Sequence, residues 1–369
     1  MDRRIALIVA LVAAALAGCK SGPNNSDPSC KPCSKYVDLT QPVELCPAQQ
    51  PSGRSAVLGP YPNLVFEGGG VKGVAYAGAI NVLQEQQLLG EVNQVAGTSA
   101  GTLTALLLAL NYSPGDVQQI IMQIDFAKFD DGHFPGDLVR LIEDYGLYKG
   151  DYAQCVLECV VHHKTQDRLT TFKDLANADA AKGYRNPRFF STNVNKTQSV
   201  EFSSRNNETV PLAIAARMSM SIPLFFAARE YASDVYVDGG VLRNYPIDAF
   251  DGQSPVDDTL GLHLGGMPEP SEITHLPGFV EQLFGVVLNQ QVVHLCGNPT
   301  DVRRSVFIDP LGISATNFNL TTTQKCALIQ SGRDATESYL ATRLPSDRCP
   351  VHIQKLIHAV RGGEPAATP

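Results

Sequence analysis

Hydrophobic positions first gather in one unbroken run, residues 5–17, behind Arg3 and Arg4. At about 1.5 Å per residue, a helix of that length falls short of a hydrocarbon core of about 30 Å. A positive start followed by a short apolar run is the pattern of an export signal. Residues 20–55 show no periodicity. They are rich in Ser, Pro, Asn and Cys, which predicts a tether with a small clamped arm. From residue 62 the pattern changes. Residues 64–66 form a short apolar strand that runs into three glycines. Val74, Ala77, Ile80 and Leu83 then recur at helical spacing within residues 71–87. A second strand, 92–96, turns at Gly97 into an apolar helix, 100–110. Strand–helix–strand–helix predicts an α/β fold with a parallel sheet.

Further along, residues 116–124, 135–145 and 151–162 read as helices. Residues 189–194 and 199–203 read as the two strands of a hairpin, and 211–218 as a short helix. Strands are expected at 235–237 and 259–264. Residues 276–361 read as helical, with a strand at 306–308. The resulting division is a signal segment 1–18, an arm 19–61, a core 62–266 and a mostly helical extension 267–369 packed on that core. The helical stretch 118–147 carries Ile120, Ile121, Phe126, Phe129, Phe134 and Leu138. It is either a helical layer on the sheet or a lid facing a membrane.

Composition changes this picture little. Of 369 residues, 44% are apolar and 18% charged, enough for a sizeable core. A formal charge of -8 argues against nucleic acid as a partner. Cysteine usage adds more. Nine cysteines less Cys19 leave an even set of eight, which fits disulfides in an oxidising compartment. Cys30 and Cys33 suit a structural bridge in the arm. Cys155, Cys159, His162 and His163 suit buried or bridged thiols better than a metal site, because adjacent histidines diverge by about 100° on a helix.

Three motifs carry candidate chemistry. Gly97-Thr98-Ser99-Ala100-Gly101 is a G-x-S-x-G elbow between a strand and a helix, which presents the Ser99 hydroxyl. Gly68-Gly69-Gly70-Val71-Lys72-Gly73 also joins a strand to a helix. It satisfies G-x-G-x-x-G but lacks a P-loop ending and the acidic residue expected of a dinucleotide site. Exposed backbone N–H groups at a helix start suit an oxyanion hole instead. Lys72 either adds positive potential there or is a solvated charge. Asp238-Gly239-Gly240 is a turn that would hold a carboxylate at a strand end.

In order and type, these three elements resemble the patatin-like phospholipases. The segment Ser219-Met220-Ser221-Ile222-Pro223, the pair Asn244 and Pro246, and an expected edge strand at Ser191-Thr192-Asn193-Val194-Asn195 add to the likeness. The resemblance covers residues 62–266. It implies a three-layer α/β sandwich around a mostly parallel sheet. It also implies a Ser99–Asp238 dyad that needs no cofactor or metal, and an oxyanion hole from the N–H groups of Gly69, Gly70 and Val71. The implied substrates are membrane lipids, phospholipids or lysophospholipids first. A protein activator is one expected form of control. Separately, Leu16-Ala17-Gly18-Cys19 resembles a bacterial lipoprotein signal, which implies a lipid on Cys19. Lys20 in place of Asp leans toward an outer membrane. Two rival readings remain open at this point. One is a Ser–Asp–His hydrolase using His263, and the other is a lipid-binding surface lipoprotein without catalysis.

Overall fold

The computed structural model describes residues 30, 32–41, 43, 46, 58–131, 136–265, 273–274, 276–342, 346–351 and 353–354. The expected signal segment, Cys19 and Lys20 lie outside the described residues, as does part of the arm. Phe134 and the Leu138 side chain lie outside them as well.

Among the described residues, ten strands form the sheets: β1 Asn63–Phe66, β2 Gln94–Thr98, β3 Gly146–Tyr148, β4 Asn186–Asn193, β5 Gln198–Phe202, β6 Leu224–Phe226, β7 Arg229–Tyr231, β8 Asp234–Asp238, β9 Thr259–Leu264 and β10 Ser305–Ile308. Helices of eight residues or more are α1 Tyr76–Glu85, α2 Ala100–Ala109, α3 Pro114–Gln123, α4 Gly136–Glu143, α5 Asp151–Thr165, α6 Leu212–Ser219, α7 Leu276–Cys296 and α8 Thr322–Leu340. The main sheet runs β10-β9-β1-β2-β4-β8-β7, with β5 also paired to β4. Its five strands from β10 to β4 are parallel. β8, β7 and β5 close it with antiparallel pairs.

β1 and β9 are buried along their whole length, as strands covered on both faces must be. Leu64, Phe66, Val95 and Phe189 face the larger core, which α1, α2, α3, α5, α6 and α8 cover. Val65, Ala96 and Phe190 face a thinner layer built from Tyr245, Ile247, Ala249 and Phe250. The end of α7 covers the sheet nearby through Val292, with Val302 and Ile353 beside it. A layer of helices, a mostly parallel sheet and a thin cover make the α/β sandwich that the resemblance implies.

Two expectations change and one open alternative is decided. The stretch 191–195 is not an edge strand. β4 lies inside the sheet, pairing β2 through its first half and β5 and β8 through its second. Sequence alone shows a strand but not how many partners it takes. Ile120, Ile121, Phe126 and Phe129 are buried, so the first half of 118–147 is the helical layer on the sheet of the two alternatives. Ile142 and Tyr145 near its end are exposed, and further exposed apolar residues, Leu276, Phe279, Leu283 and Val286, line one side of α7. Finally, Cys30 and Cys33 do not share a bridge. Cys30 pairs with Cys155 and Cys33 with Cys159, stapling the arm to α5. Cys46–Cys326 ties the arm to α8, and Cys296–Cys349 closes the far end of α7. Cys155 and Cys159 are therefore not available as metal ligands.

Candidate active site

Ser99 stands between β2 and α2 with φ 51° and ψ -124°. That backbone conformation is strained for a residue with a Cβ. It holds because the neighbours allow strand and helix to touch. A Cβ on Gly97 would lie 2.3 Å from Gly101 O, and a Cβ on Gly101 would lie 2.3 Å from Phe66 O. The Ser99 N–H donates to Ser219 Oγ at 2.9 Å. Ser219 Oγ in turn donates to Phe190 O at 2.6 Å and lies 2.9 Å from Thr102 Oγ1. The elbow is thus pinned from α6, which packs beside α2 on the same face of the sheet.

Asp238 ends β8 and is paired in register with Ser191 of β4, while Thr98 is paired with Phe190. Ser99 and Asp238 therefore follow strands that flank β4. The Asp238 N–H donates to Ser221 O at 2.7 Å, and its Oδ1 accepts the Gly240 N–H at 2.7 Å. The carboxyl is fully buried, and Oδ2 has no hydrogen-bond partner. Burial pushes its pKa up to about 7. The Ser99 hydroxyl, the Gly240 N–H and the Arg217 charge act in the opposite direction. Ser99 is thus close enough to favour the carboxylate, yet no hydrogen bond of normal geometry joins the two side chains. Such contacts are often long before substrate binds.

Arg217 is the buried cation behind this pair. Its guanidinium donates to Gly150 O, Lys149 O and Ser221 Oγ at 3.1, 2.8 and 2.6 Å. Burial lowers its pKa to about 9, still favouring the charged form at neutral pH. Sequence reasoning passed over it. The signal was there, a lone arginine in the otherwise apolar run Leu212-Ala213-Ile214-Ala215-Ala216.

The glycine loop crosses the mouth of the elbow. The Gly68 N–H donates to Asn244 O at 3.0 Å, and the Val71 N–H donates to Ala315 O at 3.0 Å. Among the described residues, the N–H groups of Gly69 and Gly70 are left without an acceptor. Val71, expected as a third donor, is engaged by the segment after β10. Gly70 has φ +56°, and a Cβ there would sit 2.1 Å from Ala315 O. Lys72 is buried rather than solvated. Desolvation lowers its pKa against the pull of Glu67 and Glu281.

Glu67 and Asn244 lie behind the loop. Glu67 accepts from the Leu264 N–H at 2.7 Å and from Asn244 Nδ2 at 3.0 Å, and burial raises its pKa to about 8. Asn244 Nδ2 also donates to Gly68 O at 3.1 Å, and its N–H donates to Gln291 of α7 at 2.7 Å. Gln291 Nε2 reaches Gly240 O at 2.7 Å. The glycine loop and the Asp238 turn are therefore held by one network. His263, the candidate for a triad, belongs to that network and not to the dyad. It packs between Tyr245 and Phe307, with Nε2 3.3 Å from Glu67 Oε1.

An apolar cavity of about 40 Å³ opens beside Ser99, lined by Leu103, Ile121, Phe129, Ile222, Phe226 and Phe318 among others. Among the described residues, no group of three or more metal-ligating side chains occurs, and no helix is long and apolar enough to cross a membrane.

A mostly parallel sheet with a glycine loop and a serine elbow at the ends of adjacent strands is a frame for ester chemistry. The chain belongs to the patatin-like phospholipase family, whose model matches residues 64–251. The Bacillus subtilis (strain 168) protein YqhO is 30% identical over 306 residues, covering 75% of this chain and 97% of its own. An uncharacterised protein of Acanthamoeba polyphaga mimivirus is 28% identical over 280 residues, covering 73% and 90%. A probable lipid hydrolase of Invertebrate iridescent virus 6 is 26% identical over 195 residues, covering 51% and 62%. The fold is shared with VipD from Legionella pneumophila, at a TM-score of 0.55 and 17% identity over 76% of this chain and 67% of that one.

Proposed function

We propose that the protein hydrolyses acyl esters of lipids, phospholipids or lysophospholipids first, through a Ser99–Asp238 dyad. The observation that carries this reading is the strained Ser99 elbow facing a buried carboxyl whose Oδ2 has no other partner. Asp238 takes the hydroxyl proton as Ser99 Oγ attacks the ester carbonyl. The oxyanion forms against the free N–H groups of Gly69 and Gly70, each such donor contributing about 3–4 kcal/mol. As the tetrahedral species collapses, the alcohol leaves with the proton from Asp238. Water then attacks the acyl-enzyme and gives its proton to Asp238. Release of the acid returns the proton to Ser99 Oγ. Arg217 stabilises the carboxylate from behind without touching the reacting atoms.

At the other end of the chain, the run 5–17 and Cys19 support an exported protein held at a bacterial membrane by lipid on Cys19, the outer one where two exist. Such an anchor raises the local concentration of lipid substrate.

The first test is fatty-acid release from mixed phospholipid vesicles, measured for wild type, Ser99→Ala and Asp238→Asn. Release by wild type, lost about 1,000-fold or more in both variants, is expected. Turnover that persists in Ser99→Ala refutes the dyad. Loss in His263→Ala with retention in Asp238→Asn would establish the triad instead.

A further inference from the structure

Phe318 lies in the stretch 309–321, which carries no helix or strand, and beyond the residues that match the family. Its ring lines the apolar cavity beside Ser99. It also lines a second cavity of about 230 Å³, whose walls include Asp130, Glu281, Asn317 and Asn319. The two spaces meet at this one side chain. Its ring packs on Phe225 and Phe129 at centroid distances of 5.4 and 5.6 Å. The backbone just before it is pinned at Ala315 by the Val71 N–H, and Ser314 Oγ donates to Glu281.

The cavity volumes decide what the ring does. A water molecule's share of the liquid is about 30 Å³, and a cavity that admits benzene is about 150 Å³. The 40 Å³ beside Ser99 is well below the benzene-admitting size, so it suits a short acyl group better than a long one. Most of its walls stand on regular elements: Ile121 on α3, Leu103 on α2 and Phe226 on β6. Phe318 stands on none. The space behind it is larger and of mixed lining, Tyr148 and Phe225 beside Asp130 and Glu281, and a chain reaches it only where the ring is moved or shortened.

We propose that Phe318 is the partition that sets acyl-chain length at Ser99, its ring closing the apolar pocket against the larger cavity. The proposal rests on the ester-hydrolase reading for its substrate. Its geometry does not.

Two measurements separate the proposal from that reading. The first compares kcat/KM for p-nitrophenyl esters of four, eight, twelve and sixteen carbons, in wild type, Phe318→Ala and Phe318→Leu. The twelve-to-four-carbon ratio should rise about tenfold in Phe318→Ala and by less in Phe318→Leu. The second exploits a chain without tryptophan. In Ser99→Ala carrying Phe318→Trp, the introduced indole should change its emission with dodecanoate and not with butyrate. If wild type turns over no ester but the indole responds to chain length, the hydrolase reading fails and the partition stands. A ratio that stays within threefold overturns the partition. So does an indole blind to chain length where no ester is turned over.

Discussion

Asp238 carries two opposite demands. In the proposed mechanism it must be ionised to take a proton, yet burial holds its pKa at about 7. kcat/KM should therefore climb about tenfold per pH unit below 7 and level off above it, as a pH–rate profile will show. Stability runs the other way. Between the ordinary carboxyl value of 3.8 and 7, the folded state keeps a proton that the unfolded state has lost, so Asp238 lowers stability as pH rises through that window. Thermal melts should find Asp238→Asn more stable than wild type at pH 8 and the two nearly equal at pH 4. Arg217→Met should act differently. It leaves the Lys149 carbonyl without its arginine donor and the Gly150 carbonyl with only the Gln154 N–H, and should cost about 2–4 kcal/mol in denaturant titrations. Ser99 and Asp238 were legible in the sequence because each sits in a local motif whose glycines have a steric reason. Arg217, Ser219 and Glu67 were not assigned their roles, since those depend on partners far away along the chain.

At the scale of elements, the site is a set of strand ends held in register. The crossing of β1 and α2 depends on Gly101, whose absent side chain admits the carbonyls of Phe66 and Glu67. Gly101→Ala should cost about 1–3 kcal/mol and reduce activity together with stability, because the same contact sets the elbow. Calorimetry and ester turnover on one preparation check both. The principal parallel strands and most helices were readable from periodicity. The pair β3–β6 and the strand β7 were not, being three residues each and too short for a pattern to repeat. Helix α7 was readable as a helix, but not as the element that steadies the Asp238 turn through Gln291.

The whole molecule is bound from its arm to its last long helix. Cys46–Cys326 spans 280 residues, and Cys30–Cys155 and Cys33–Cys159 span 125 and 126. Closing a loop as long as the first removes roughly 5 kcal/mol of unfolded-chain entropy in the simplest account. Cys46→Ser with Cys326→Ser should lower unfolding free energy by about 2–5 kcal/mol, measured against wild type in non-reducing urea. An even cysteine count was legible, but the pairing was not, because it follows from which helices the arm crosses.

The contact of Ala315 with the glycine loop sets an order of events in time. The loop that would receive the oxyanion is among the first parts of the core to leave the ribosome, and the residue that engages Val71 is among the last. A growing chain therefore has a serine elbow before it has a finished site. On the proposed mechanism, activity should appear only once the stretch after β10 has folded back over the glycine loop.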